Sequence, residues 1–232
     1  VLLASLVVVL AGAPVFAGTI HSDLTIGGSV EFDAGFFVAT DTTVTGDIGK
    51  TVGGATTTSA FTAAGIGTNP LSDTLVDLGD GFGASGDFDT TSDAAEFGVG
   101  VDWAIALANS SLLDTYTVTF KVTYSNAVDA DVDAWAESVF TVDSPVGTEV
   151  FFTHLISDTD FGDEAGGGTL GPFGSKGTFG DALSDSGTFF FDIILAPSAS
   201  ASFEAAWTGE GETVDTGAVA KLDFGTYIEV SS

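Results

Sequence analysis

Glu96–Leu107 reads EFGVGVDWAIAL. Phe97, Val99, Val101, Trp103, Ile105 and Leu107 take every second position, with Glu96, Gly98, Gly100, Asp102, Ala104 and Ala106 between them. Successive side chains of an extended chain point to opposite faces, so this segment buries one face and wets the other. It reads as a half-buried β-strand.

The same alternation spreads in both directions. A polar turn around Asn109-Ser110-Ser111 and Asp114 leads into Tyr116, Val118, Phe120, Val122 and Tyr124, which alternate with Thr117, Thr119, Lys121 and Thr123. Two such strands with a short connection predict an antiparallel hairpin or meander. An early strand is expected through Val30, Phe32, Ala34, Phe36 and Val38, and others at Ala134–Val142, Val150–Ile156 and Thr188–Leu195. Pro197 ends the last of these because it cannot donate to a ladder. Ala199–Trp207 and Leu222–Val230 complete the series. No segment shows a convincing helical period. The expected fold is all-β, an antiparallel β-sandwich of jelly-roll or immunoglobulin-like topology, preceded by a signal-peptide helix.

That helix is expected at residues 1–17, where the apolar run VLLASLVVVLAGA is followed by Pro14 and Val15-Phe16-Ala17. The short side chains of Val15 and Ala17 suit a signal-peptidase cut between Ala17 and Gly18. The run is too short to span a bilayer, which takes about 20 apolar residues, so no membrane span is expected in the mature chain. No basic residues precede it, so the sequence is expected to begin inside the signal. A rival reading keeps this segment as the packing helix of a pilin-like filament subunit. Residues 18–232 are then one β-sandwich domain with a loop-rich N-terminal portion, 18–92.

Charge narrows the partners. The chain has 33 Asp and Glu against four Lys, a formal net charge of −29. Nucleic acid and anionic membrane surfaces would repel it, and divalent cations are its natural counter-partners. The hydrophobic content of 44%, with 20 Phe, is enough to build a core and excludes a disordered acidic tail. There is no cysteine, so disulfides and thiolate chemistry are excluded.

Three stretches read as loops: Gly46–Asn69, Leu78–Asp93 and Ser157–Ser186. Two of them carry the sequence's main chemical signal. Asp77, Asp80, Asp87 and Asp89 sit in DLGDGFGASGDFD, and Asp158, Asp160, Asp163 and Glu164 in DTDFGDE. Carboxylates at short intervals on a glycine-bent backbone can converge on Ca²⁺, which takes six to eight oxygen ligands. The plainer reading is solvated turn carboxylates. Asp129, Asp131 and Asp133 are expected on one face of a solvent-facing edge strand, guarded by its charge. Trp135 should share that face, which makes Trp135, Asp131 and Asp133 a candidate carbohydrate-binding set. Trp103 and Trp207 fall on apolar faces and are expected in the core. Only His21 and His154 could serve as imidazole bases, and His154 reads as a satisfied strand residue. With no nucleophile elbow and no distinguished carboxylate pair, no catalytic residues and no enzymatic activity are expected.

Leu195–Gly209, LAPSASASFEAAWTG, with SGTFFFDII before it and AKLDFGTYIEV after it, resembles exported bacterial proteins of the PEP-CTERM class. The resemblance implies a β-rich, cysteine-poor surface or biofilm-matrix component without enzymatic activity. The sorting tail of that class is not in this sequence, and no functional residue carries over. The expectation is a secreted, non-enzymatic surface or matrix protein, stiffened by calcium and associating with polysaccharide or other matrix proteins. The alternatives are a carbohydrate-binding module and the pilin-like subunit.

Overall fold

The computed structural model describes residues 18–33, 42–62, 70–91 and 94–232. The expected export segment, and Ala34, Phe36 and Val38 of the expected early strand, lie outside them. The described residues contain strands and no helix. They form β1 (Leu24–Asp33), β2 (Thr42–Val52), β3 (Ala55–Thr62), β4 (Leu71–Leu75), β5 (Gly81–Thr90), β6 (Ala95–Asn109) and β7 (Tyr116–Asp131). Then follow β8 (Ala134–Asp143), β9 (Glu149–Asp158), β10 (Glu164–Gly167), β11 (Gly171–Ser175), β12 (Leu183–Leu195), β13 (Ser200–Thr213) and β14 (Val219–Val230).

Two antiparallel sheets stack as a β-sandwich. One has eight strands in the order β11-β10-β9-β8-β13-β6-β1-β4, the other six in the order β12-β7-β14-β5-β2-β3. The long strands expected from sequence keep the predicted alternation. Along β7, Val118, Phe120, Val122 and Tyr124 are buried while Thr117, Thr119, Lys121 and Thr123 are open to solvent in varying degree. The two buried faces meet in an aromatic core. Trp207 of β13 stacks on Phe224 of β14 with ring centroids 3.7 Å apart, and Phe88 of β5 lies 5.6 Å from Trp207 and 6.0 Å from Phe97. Phe120 meets Phe203 edge-on at 4.8 Å. Such pairs add about 0.5–1.5 kcal/mol beyond their buried area, and each of these joins one sheet to the other.

Several expectations are corrected by the pairing. β6 and β7 are not a hairpin: the turn at Asn109–Asp114 carries the chain from one sheet to the other. Facing strands bury two apolar faces as well as neighbouring strands do, so alternation does not distinguish them. The stretch 46–69 is largely a hairpin of β2 and β3, paired from Thr45↔Thr62 to Val52↔Ala55. Its glycines and threonines suit an outer face with no core to fill. Likewise Leu78–Asp93 contains β5, which lies between β14 and β2, and Ser157–Ser186 contains β10, β11 and the start of β12. Glycine is needed at such crowded places: a Cβ on Gly81 would stand 2.0 Å from the carbonyl oxygen of Ile228.

The strand bearing Asp129 and Asp131 is not an edge. β7 lies between β12 and β14. Asp133 stands outside it, in the turn to β8 with φ 48°, next to Val132 at φ 52°. At this turn the chain again changes sheets, so Trp135 on β8 lies on the opposite side of the sandwich from Asp129 and Asp131.

Candidate functional site

The six-stranded sheet carries a groove on its outer face, with a volume of about 630 Å³. Cross-strand register builds it. One row runs Thr188, Thr123, Tyr227, Gly83, Gly49, Thr58 across all six strands. The next runs Ser186, Ser125, Gly225, Ser85, Asp47, Ala60. At the usual strand spacing the rows extend about 24 Å. Outward positions that are glycine, serine or threonine leave a trough where larger side chains would leave a ridge. Tyr227 is the one aromatic ring in these rows, and it lies close over Gly83. A Cβ there would be 2.7 Å from Tyr227 Cδ2 and 2.9 Å from the Thr226 carbonyl oxygen, so the ring's position depends on the glycine.

Polarity in the groove is mild. The Tyr227 hydroxyl donates to the Gly79 carbonyl at 3.3 Å. Burial pushes the phenol up to about 12 against the lowering bond from Thr51, with Glu229 and Asp80 adding to the rise, so it stays neutral at physiological pH. Asp47 is the carboxylate within the rows. One row beyond, Asp223 stands directly opposite Asp87. Burial, then repulsion from Asp87, pushes Asp223 up to about 6, and burial with repulsion from Asp89 also raises Asp87. The row on the other side holds the Lys121–Glu229 ion pair at 2.8 Å. The trough therefore offers hydroxyls and one aromatic ring, with a negative margin on one side.

The sequence signal pointed elsewhere, to the two acidic stretches; the structure divides the first and folds the second into a turn that links Asp158, Asp160 and Asp163. Asp77 and Asp80 lie before β5, whereas Asp87 and Asp89 sit near its far end, roughly 20 Å or more away at the rise of a strand. Asp80 is buried, and its carboxylate accepts the backbone N–H groups of Gly53, Val76 and Asp77 at 2.9–3.1 Å. It ties the β2–β3 turn to the β4–β5 connection. Asp163, 0% exposed, accepts from the N–H groups of Asp158, Gly180 and Asp181 and from the Thr178 hydroxyl at 2.7–3.1 Å. Burial would raise its carboxyl, but these bonds outweigh it and hold it below the ordinary 3.8. Asp158 Oδ1 accepts the N–H groups of Asp160 and Phe161. Glu164 begins β10. Backbone N–H groups engage the carboxylates of Asp80, Asp158 and Asp163, and no group of three or more metal-ligating side chains gathers among the described residues.

The other expected residues are also placed. Trp135 is partly buried on the outer face of the eight-stranded sheet, its indole N–H donating to Glu212 Oε2 at 3.0 Å. Asp131 ends β7 and is exposed, so it and Trp135 stand on different sheets, with Asp133 in the turn between them. Trp103 and Trp207 are core residues, as expected. His154 shares a 2.6 Å hydrogen bond with Glu137 and stacks on Phe173, the satisfied strand histidine the pattern suggested. Asn109, the first residue of a glycosylation-like triplet, is buried with its amide nitrogen spent on the carbonyls of Asp114, Leu195 and Ala196.

Reasoning from sequence missed a further buried carboxylate, Asp185. It accepts from the Tyr124 hydroxyl at 3.1 Å, from the Thr153 hydroxyl at 2.8 Å and from the Thr169 hydroxyl. Burial and this carboxylate push the Tyr124 phenol upward. A single Asp in LSDSG carries no sign of it, because its partners come from three distant segments.

Gly18 begins the described body, and its carbonyl accepts the Leu78 N–H at 2.7 Å. No helix among the described residues is long and apolar enough to cross a membrane. No protein-family model matches the chain. No curated protein matches it either. Among solved structures it is similar to that of the infectious bursal disease virus Gt strain, at 10% identity and a TM-score of 0.16, covering 94% of this chain and 68% of that one. The VP2 subviral particle of the same virus gives 10% identity and a TM-score of 0.16, with 89% and 64% covered. Likenesses this slight carry no argument for fold or function.

Proposed function

We propose that this chain is a secreted, non-enzymatic cell-surface or extracellular-matrix protein that holds a neutral polysaccharide along the groove of its six-stranded sheet. The groove carries the reading. It is long and uncharged along most of its floor, and it sits on a molecule of net charge −29. An extended sugar chain presents hydroxyls to Ser85, Ser125 and Thr123 and an apolar ring face to Tyr227. Acidic polymers would meet Asp47 and the Asp223–Asp87 pair and be repelled. Export rests on the apolar run at residues 1–17. Mass spectrometry of the secreted protein should find its N-terminus at Gly18, and a retained Val1–Ala17 would favour the pilin-like alternative instead.

Affinity electrophoresis through gels holding neutral or acidic polysaccharides tests the groove. Neutral polymers should retard the wild type, and Tyr227→Ala and Ser85→Leu should migrate freely. Trp135→Ala should be retarded as the wild type is. If no neutral polymer retards the protein, the groove reading fails; if Trp135→Ala alone abolishes retardation, the binding face is the other sheet.

A further inference from the structure

β12 closes one edge of the six-stranded sheet, paired to β7 along its full length from Leu183↔Val128 to Leu195↔Tyr116. An edge strand presents unpaired N–H and C=O groups, and soluble proteins guard such edges with shortness, charge or proline. The eight-stranded sheet follows that rule. Its edges β11 and β4 have five residues each; β11 contains Pro172, and β4 carries Asp73 in a 2.8 Å ion pair with Lys50. β12 has 13 residues and no proline. In a chain with 33 carboxylates, its outward positions Ser184, Ser186, Thr188, Phe190, Asp192 and Ile194 hold one, and Thr119 Oγ1 donates to that one at 2.7 Å.

The same edge is apolar. Phe190 is 58% and Ile194 69% exposed. The turn bearing Leu112 and Leu113, 80% and 87% exposed, is fastened to this end of the strand through the Asn109 amide on Leu195 and Ala196. The structure assigns β12 as the seam at which two copies of this chain join antiparallel, continuing one six-stranded sheet into the next.

Side-chain chemistry selects the register. A twofold axis at Asp192 would set two carboxylates opposite each other, and one at Phe191 would set each Asp192 against a phenyl ring. An axis at Phe190 opposes Phe190 to its own copy, Asp192 to the Thr188 hydroxyl and Ile194 to Ser186, each a favourable or neutral cross-strand pair. Thr169 reaches Asp185 at the strand's start, so the pairing runs over Ser186–Ile194. A second copy brings the same net charge of −29, so the seam should tighten as salt screens the repulsion.

Sedimentation over a concentration series in low and high sodium chloride tests the seam without any polysaccharide, so its result stands apart from that of the groove. The wild type should form dimers that strengthen with salt. Phe190→Lys and Ile194→Lys, both at exposed positions, should weaken association by more than about tenfold while melting as the wild type does. The chain has no cysteine, which allows a test of register. Under mild oxidation Phe190→Cys should form a disulfide dimer and Ile194→Cys should not. A wild type that stays monomeric in high salt, or a Phe190→Lys variant that associates undiminished, overturns the proposal. Cross-linking of Ile194→Cys as fast as Phe190→Cys overturns the register.

Discussion

Replacing Asp223 with Asn should stabilise the protein at neutral pH and leave it nearly unchanged in acid. Asp223 sits on β14 directly opposite Asp87 of β5, and burial with that neighbour raises its carboxyl from 3.8 to about 6. The unfolded chain releases this proton near 3.8, so across the window from there to about 6 the folded state holds more protons, and stability falls as pH rises. Above the window the penalty is constant. The rise corresponds to about 3 kcal/mol in full. The group is only partly buried, so screening by solvent reduces this to about 1–2 kcal/mol. For a domain of this size that is roughly 3–6 °C in melting temperature. Thermal melts of wild type and Asp223→Asn, followed by circular dichroism from about pH 4 to about pH 8, should show a gap that opens through the window and then levels. Asp87→Asn should give a smaller gain, because burial remains the leading cause. The double variant should gain less than the sum, since the repulsion can be removed only once. A gap of equal size at both ends of the range, or an Asp223→Asn variant less stable than the wild type at the alkaline end, would refute this reasoning.

Asp163→Asn should cost about 3 kcal/mol at neutral pH in denaturant titrations, because charged hydrogen bonds to three backbone N–H groups and a hydroxyl are lost or inverted. The folded carboxyl lies below 3.8, so this contribution is present above that value and the gap should close as pH falls through the folded value. Asn126 is buried opposite Phe224, and neither of its amide atoms has a hydrogen-bond partner. Asn126→Leu should therefore raise stability by about 1–2 kcal/mol in the same assay, and a loss would refute the unpaired reading. On the eight-stranded sheet Glu31 opposes Asp102, Glu96 opposes Glu212, Glu204 opposes Asp143 and Glu210 opposes Glu137. Directly opposed like charges cost up to about 1 kcal/mol each, so the melting temperature should climb with sodium chloride. Calcium chloride at equal ionic strength should do no more, and a chelator should leave the melt unmoved, since backbone donors already occupy Asp80 and Asp163; a chelator-induced drop would show a calcium site.

The strands were legible where one face meets the core. Phe97–Leu107 and Tyr116–Tyr124 declare themselves because burial selects apolar side chains at every second position. β2 and β5 did not, since glycines interrupt the alternation: a Cβ on Gly46 would run into the core ring of Phe61, and Gly49 and Gly83 stand in the outward row that forms the trough. The groove follows from those same residues and was hidden for the same reason. Carboxylates misled in the opposite sense. Spacing shows which acids are near in sequence, and it cannot show that Asp80 and Asp163 turn inward to hold backbone N–H groups while Asp87 turns out to face Asp223.

By itself, the sequence determined the all-β class, the side that meets the core in those strands whose apolar residues alternate, the burial of Trp103 and Trp207, and the strong negative charge. These follow from period and composition, which are local properties. Tertiary structure alone decided which strands pair and which face each other across the core. It placed Trp135 on one sheet and Asp131 on the other, aligned Tyr227, Gly83 and Gly49 into one trough, and left β12 as an edge. Pairing is a choice among partners distant along the chain, made by how whole faces fit, and an alternating pattern is satisfied equally by a neighbour beside it or a sheet above it.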